Sequence, residues 1–525
     1  MSVRHLASYL VEAAGRDGSR PAYADAGGTR SYTEYLGESL RVAALLRDAG
    51  VGHGDRVCIS LPKGFPLYVT IHAALFLNAC YVPVDYTTPV ERGRRIVADA
   101  GARVLVTTAR NLERVLDDKG NRGGATDAVV IAALDTDVCG TISVKALSEW
   151  ADTPRSATPT ADSLDPAAAA YVLYTSGSTG TPKGVVQSQR SAIAFAEWAA
   201  DELRLTAGDV VPQVAPVTFD LSVFDLFAAT RAGACLVPIH ESTMMSPITF
   251  CRAVAKANAT VVYCVPSLIL REAKGQALGW AELQKGRLRH IVFAGEPIDK
   301  PALRRLRPLL PAVPIHNWYG PTETNVCAFH RVSDEDLAED GAIPIGKPCP
   351  YSRFDYAWDE NGNGGPRSAE LLVAGDTVLT GYWNRPEDTA ARIIELGGVR
   401  HYRTGDFAHF NERGDLVFIG RRDRQVKVHG RRVQLDEIEA ALRKHLPQFE
   451  VACALLRPNG AEPIIAVAIV GEPTPDADAV REAAADSLPL FMMPERIVGM
   501  DALPRNERGK IDYPRLTTML LEDRP

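Results

Sequence analysis

Ten consecutive residues, TSGSTGTPKG from Thr175 to Gly184, hold three glycines, two serines, three threonines and one lysine. Such a stretch has too few apolar side chains to build a core. It offers instead a run of backbone N–H groups and hydroxyls, with the cation of Lys183 near its end. Consecutive amides in a tight turn form an anion-binding concavity, so the phosphates of a nucleotide are a matching ligand. A Walker A loop would close on Gly-Lys-Ser or Gly-Lys-Thr, whereas the order here is Pro182-Lys183-Gly184. Taken in isolation, a flexible Gly/Ser linker has the same composition.

Six further runs follow in order: Phe219-Asp-Leu-Ser222, Ala294-Gly-Glu296, Asn317-Trp-Tyr-Gly-Pro-Thr-Glu323, Tyr402-Arg-Thr-Gly-Asp406, Gly420-Arg-Arg-Asp-Arg-Gln-Val-Lys427 and Gly509-Lys510. Each is weak alone; their order and separations are not. Together they resemble the adenylate-forming superfamily of acyl-CoA synthetases, luciferases and peptide-synthetase adenylation domains, over nearly the whole chain. Two departures are visible. Ala369 stands where the superfamily usually has glycine before Glu370, and Arg508 precedes Gly509 where asparagine is usual. Neither removes a chemically required group.

The resemblance implies roles for particular residues. Thr175, Ser176, Gly177, Ser178, Thr179, Gly180 and Lys183 would cradle the β- and γ-phosphates of ATP and guide pyrophosphate out. Thr322 would donate to the α-phosphate, and Glu323 would hold the Mg²⁺ that bridges phosphates. Lys510 would reach the substrate carboxylate and α-phosphate, where charge builds during transfer. Asp406 would grip the ribose hydroxyls, since one carboxylate accepts several hydrogen bonds. Asn317 and Tyr319 would read and stack the adenine, Gly295 would permit its close approach, and Arg421 would lie near the ribose. Asp423 would be a hinge about which a small domain rotates after adenylation, replacing the Lys510 face with one carrying Lys427 that admits a thiol. Without the resemblance, Lys510 reads as a solvated surface charge and Asp406 as a turn aspartate.

Phe219-Asp220 discriminates among acids. Adenylation domains for α-amino acids place an aspartate here to meet the substrate ammonium, a need that CoA ligases for fatty or aryl acids lack. An unpaired buried carboxylate is penalised, so such a pair is hard to replace. The alternative is that Asp220 caps the helix FDLSVFDLFAA, although Asp225 is the better structural acid. The implied pocket lining is Asp220, Leu221, Phe224, Tyr263, Val292, Ala294, Trp318, Val326, Cys327 and Lys510. It resembles that of stand-alone prolyl-adenylating enzymes, which share the run TETNVC at Thr322 to Cys327 and usually carry leucine in place of Trp318. The chain also looks like stand-alone alanine-activating enzymes of macrolactam biosynthesis. Indole is larger than isobutyl, and Phe224 and Tyr263 narrow the space further. The expected substrate is a small neutral L-amino acid: alanine first, with proline, serine or glycine behind. The acceptor is expected to be the phosphopantetheine thiol of a separate acyl or peptidyl carrier protein. Arg431, Arg432, Arg443 and Lys444 either meet such an acidic carrier or form a solvated face. Asp486-Ser487-Leu488 lacks the preceding Leu-Gly-Gly of a carrier and reads as a helix end. The alternative activity is an acyl-CoA ligase for a small carboxylic acid. A luciferase-like oxidase has no specific residue in its favour, and a non-catalytic sensor is disfavoured by the presence of Lys510, Glu323 and Asp406 together.

The elements that must position these groups follow from periodicity. Ser31-Tyr-Thr-Glu34 reads as a capping box, with Leu36, Leu40 and Ala44 at helical spacing behind it. Strands are expected at Arg56–Ser60, Val104–Thr107, Val129–Ala132, Tyr171–Tyr174, Cys235–Pro238, Val261–Cys264 and Ile291–Ala294, alternating with helices as in layered α/β folds. From Ser352 to Ile419 glycine-broken short strands, as in ENGNGGP and NERGD, indicate a β-barrel subdomain. The fold class is α/β. Residues 1–420 form a large N-terminal adenylation core of layered sheets plus that barrel, and residues 421–525 a small mobile α+β domain carrying Lys510.

The 525 residues exceed what one core normally serves. A hydrophobic content of 46% with 23% charged residues is ordinary for a globular chain. The formal charge of -7 gives no basic face for nucleic acid. Nine cysteines without a C-x-x-C pair or metal-ligand spacing read as buried thiols in a reducing cytoplasm. The opening MSVRHLASYLVEAAGRDG is amphipathic rather than a signal segment. Leu67 to Val84 is long enough to span a bilayer, but it contains His72, Asn78 and Pro83 and reads as a buried helix running into a strand. No membrane association is expected, and the predicted location is cytoplasmic.

Overall fold

The computed structural model describes residues 5–116, 129–133, 144–146, 157–160, 163–175, 182–270, 276–339, 341–358, 369–421, 424–428, 431–457, 463–471, 475–485, 487–505 and 511–522. They form two compact units. The first comprises residues 1–86, 96–174 and 184–420, and the second residues 87–95, 175–183 and 421–525.

In the first unit, helices and strands alternate as the pattern requires. Arg56–Ser60, Cys235–Pro238 and Val261–Cys264 are strands with the expected bounds, and Val104–Thr108, Ala169–Thr175 and His290–Ala294 differ at their ends. The Ser31 hydroxyl accepts the Glu34 N–H at 3.2 Å while the Glu34 carboxylate accepts the Ser31 N–H at 2.7 Å. This reciprocal cap starts the helix Tyr32–Asp48, which buries Tyr35, Leu40, Ala43 and Leu46.

The apolar stretch after Leu67 divides as its polar residues suggest. Phe65–Phe76 is helical and Cys80–Pro83 is a strand, with Asn78 turning the chain at φ +53°. Every residue from Leu67 to Phe76 is buried, because this helix is covered by its neighbours on all faces. At 12 residues it falls short of the roughly 20 that a bilayer demands. Among the described residues no helix is long and apolar enough to cross a membrane.

The strands collect into several sheets. The largest has eight strands, with Gly381–Tyr382, Lys183–Ser188, Ala169–Thr175 and Cys80–Pro83 adjacent in that order. A second, of five strands, begins Val261–Cys264, His290–Ala294, Ile315–Tyr319. Beyond residue 350, Ser352–Trp358, Ala369–Gly375, Ile393–Leu396, Val399–Phe410 and Leu416–Arg421 curl into a half-barrel. Ala369, one of the two departures, sits in regular register between Trp358 and Ala408. An extended position accepts a Cβ, so nothing there requires glycine. The turn sequence ENGNGGP lies outside the described residues.

The second unit is α+β. Glu450–Leu456, Ile464–Val470 and Arg496–Gly499 form a sheet, and Gln425–Val428 pairs with Arg431–Gln434. Helices Leu435–His445 and Ala477–Ala485 share its core with the sheet through Ile438, Leu442, Val451, Val467 and Val480. Helix Ala477–Ala485 is followed by Ser487 and Leu488, whose N–H groups both close on the Ala484 carbonyl, at 3.1 and 2.9 Å, as at a helix end. The eight cysteines described are unbridged, and all but Cys235 are buried.

Candidate functional site

Three strands ending side by side carry four of the residues expected to line the acid pocket. Tyr263 lies opposite Val292, and Ala294 opposite Trp318. Because side chains alternate across a strand, Tyr263, Val292, Ala294 and Trp318 share one face and pack with Phe224 and Val326. Val262, Ile291 and Phe293 face the other layer. Crevices at the carboxyl ends of such strands are the usual ligand sites of open α/β sheets.

The aromatic rings of this face meet edge to face. Phe224 and Tyr263 are 5.3 Å apart between centroids, Tyr263 and Trp318 also 5.3 Å, and Phe224 and Trp318 6.1 Å. Behind the indole stands Trp198 at 4.7 Å, with Phe195 at 6.3 Å. Backing of this kind leaves Trp318 little room to swing away.

Asp220 precedes the short helix Leu221–Val223 and is 8% exposed. Its backbone is itself helical and its side chain makes no capping bond, so the capping alternative is not what the fold uses. Burial, and next the Asp220 charge, push the phenols of Tyr171 and Tyr263 upward. The carboxylate thus lies within electrostatic reach of both rings. Asp225 is different. It is fully buried, accepts the Val214 N–H at 3.2 Å, and burial holds its carboxyl well above the usual range. Leu221 is half-buried beside the cluster. Cys327 is buried at the far end of the TETNVC run, where burial pushes its thiol up to about 12.

Thr322 and Glu323 occupy a tight turn after the strand Ile315–Tyr319. Gly320 is required there: a Cβ would fall 1.6 Å from the Asn325 carbonyl oxygen. The turn is closed by Thr324 N–H to Pro321 O at 2.9 Å and Cys327 N–H to Tyr319 O at 2.8 Å. Glu323 is 2% exposed, and its carboxylate accepts the Tyr382 hydroxyl at 2.8 Å. Its carbonyl accepts the Leu379 N–H at 2.7 Å. The Thr322 carbonyl accepts the amide of buried Gln187 at 3.1 Å.

Asp406, also buried, accepts the Tyr319 hydroxyl at 2.5 Å. Asn317 lies on the opposite face of its strand from Trp318 and donates its amide to the Pro344 carbonyl at 2.8 Å. Gly295 follows the strand at φ +91°, a left-handed conformation that favours glycine. In the second unit, the Thr175 hydroxyl approaches the Lys183 carbonyl at 3.5 Å, and Arg421 is half-buried at the end of its strand. Ser176, Gly177, Ser178, Thr179, Gly180, Asp423 and Lys510 lie outside the described residues.

Residues 10–383 match the family described as AMP-binding enzyme. The chain belongs to that family. It is an ATP-dependent adenylating ligase of the adenylate-forming superfamily. It is 36% identical over 506 residues to an L-proline--[L-prolyl-carrier protein] ligase of Streptomyces coelicolor, covering 95% of this chain and 93% of that one. An enzyme of the same name from Pseudomonas fluorescens is 34% identical over 480 residues, covering 89% and 90%. Among solved structures, IdnL1 superposes with a TM-score of 0.75 at 27% identity, covering 95% of this chain and 99% of that one.

In this AMP-binding enzyme, other residues around the candidate site were not singled out by sequence reasoning. Gln187 and Tyr382 hydrogen-bond the Thr322–Glu323 turn, the Asp220 charge acts on Tyr171, and Trp198 backs Trp318. Each sits in a strand or helix where a buried aromatic or amide reads simply as core. Only Gln187 carried a signal, a buried-strand amide directly after the glycine-rich loop, and its partner could not be known.

Proposed function

We propose that the chain activates a small neutral L-amino acid with ATP, forming the aminoacyl adenylate and pyrophosphate, and passes the aminoacyl group to the phosphopantetheine thiol of a separate carrier protein. The observation that carries the amino-acid reading is Asp220, a buried carboxylate that does not cap its helix and whose charge acts on the phenols of Tyr171 and Tyr263, the latter packed against Trp318. A substrate ammonium offers it a charge-assisted partner, which an acid lacking the amine does not.

The remaining roles are assigned on the same reading. Asp406 binds ribose, Asn317 and Tyr319 contact adenine, and Thr322 donates to the α-phosphate. Lys510 meets the carboxylate and α-phosphate, and Asp423 is the hinge. Glu323 suits a hard divalent cation, being a buried carboxylate oriented by a neutral phenol. Among the described residues no cluster of three or more His, Cys, Asp or Glu could hold a metal by itself. Glu323 would hold Mg²⁺ together with the nucleotide, and the cation would supply charge neutralisation when bound.

Alanine is the leading substrate, because Phe224, Tyr263 and a braced Trp318 crowd the pocket face. Proline is the second reading, favoured by kinship with two ligases named for L-proline. Amino-acid-dependent exchange of pyrophosphate into ATP, run across the proteinogenic amino acids, tests both. Highest kcat/KM for alanine supports the first reading and for proline the second. Exchange with no α-amino acid, together with CoA thioester formation from a plain acid, would overturn the proposal in favour of an acyl-CoA ligase.

A further inference from the structure

We infer that Tyr382 is a positioning residue for Glu323, and that the segment from Leu379 to Trp383 straps this carboxylate to the strand leaving the glycine-rich loop. The inference rests on the reading of Glu323 as the metal-holding carboxylate.

Five consecutive residues make the strap. The Leu379 N–H takes the Glu323 carbonyl at 2.7 Å, and the Tyr382 hydroxyl takes the Glu323 carboxylate at 2.8 Å. Between and beyond these contacts, the Thr380 N–H bonds the Val186 carbonyl at 2.9 Å and the Trp383 N–H bonds the Gly184 carbonyl at 2.7 Å. Tyr382 pairs with Val185 in antiparallel register. The short edge strand Gly381–Tyr382 and the residues flanking it therefore grip Glu323 by backbone and side chain while hydrogen-bonded to residues 184–186. Its own placement is fixed from outside, since the Tyr382 N–H is taken by the Thr389 hydroxyl at 2.9 Å.

The phenol matters beyond packing. Glu323 and Tyr382 are both buried, and the Tyr402 hydroxyl lies 3.3 Å from that of Tyr382. A glutamate has three side-chain torsions, and ordering such a chain costs about 1–2 kcal/mol of conformational freedom. With one carboxylate oxygen already bound to a fixed phenol, that ordering is met by the fold before the cation arrives, the usual way in which outer partners tune a metal ligand. A purely apolar role for Tyr382, in the small cluster with Val185, Leu379 and Tyr402, would not depend on its oxygen.

Tyr382→Phe separates these roles, because it removes only the oxygen. Two readouts are needed: Mn²⁺ affinity of the full-length protein with a nonhydrolysable ATP analogue, followed by electron paramagnetic resonance, and the Mg²⁺ concentration giving half-maximal pyrophosphate exchange. Both should weaken by about tenfold, the scale for outer-partner removal at metal sites, with the KM for the amino acid and the thermal midpoint unchanged. Tyr402→Phe should shift both in the same direction by less. Unchanged Mn²⁺ affinity in Tyr382→Phe would overturn the inference, as would parallel loss of amino-acid KM and thermal midpoint. Glu323→Gln run alongside distinguishes the failures: if it too leaves Mn²⁺ affinity intact, the reading of Glu323 itself falls; if it alone weakens binding, only the strap does.

Discussion

The Tyr319 hydroxyl donates to the Asp406 carboxylate at 2.5 Å, joining two buried residues 87 positions apart. Tyr319 ends a strand of the five-stranded sheet, whereas Asp406 lies in the long strand of the half-barrel. Removing the hydroxyl takes one donor from the carboxylate that would grip ribose. Tyr319→Phe should raise the KM for ATP about three- to tenfold, matching about 1 kcal/mol for a lost hydrogen bond, with little change in the KM for the amino acid. Steady-state kinetics with each substrate varied in turn checks this.

Asp220→Ala should abolish discrimination for the amine. The kcat/KM for alanine should drop about 100-fold or more, since loss of one partner of a buried ion pair costs about 3 kcal/mol or above. Propionate should then compete on nearly equal terms. Retained preference for alanine over propionate would refute the assigned role.

Trp318→Leu should enlarge the pocket. The change should favour proline over alanine by about tenfold or more in kcat/KM, because one methylene-sized difference in an apolar pocket is worth about 1–3 kcal/mol. Since Trp198 packs 4.7 Å behind the indole, Trp198→Ala should loosen the same selectivity in the same direction. The measurement is pyrophosphate exchange with both amino acids.

Lys510→Ala should lower adenylation by about 100-fold or more, the scale for removing a charge-stabilising donor from a transition state. Thioester formation from preformed aminoacyl adenylate should largely survive. Equal loss of both half-reactions would mean that the lysine's role is misassigned.

Acid should destabilise the fold before it titrates carboxylates. Burial lowers His5 and His72 to about 4 and His316 to about 3. These imidazoles stay neutral when folded but take a proton near pH 6.5 when unfolded. Stability is therefore full above that pH and falls as pH drops towards 4, each group adding up to about 1.4 kcal/mol per pH unit. Asp225, raised by burial, acts with the opposite sign but is a single group. Urea midpoints at stepped pH should decline through this window. His72→Gln should flatten the decline, because it removes the imidazole that contacts the Tyr35 hydroxyl at 2.9 Å and the Tyr68 carbonyl at 3.1 Å.

Much of this molecule was decided by local order in the chain. The capping box at Ser31, the strands at Arg56–Ser60 and Val261–Cys264, and the α+β character of the last hundred residues all follow from periodicity and turn chemistry, which act over a few neighbours. The ordered motifs from Thr175 to Lys510 sufficed to indicate the family, because chemistry restricts residue types at short spacings. What tertiary structure alone decided is which distant groups touch. That Asp220 does not cap its helix, that Trp198 braces Trp318, and that Tyr382 holds Glu323 depend on strand register and layer packing. Those relations are set by the whole core at once. An isolated tyrosine or tryptophan in a strand carries no local mark of the partner it will meet.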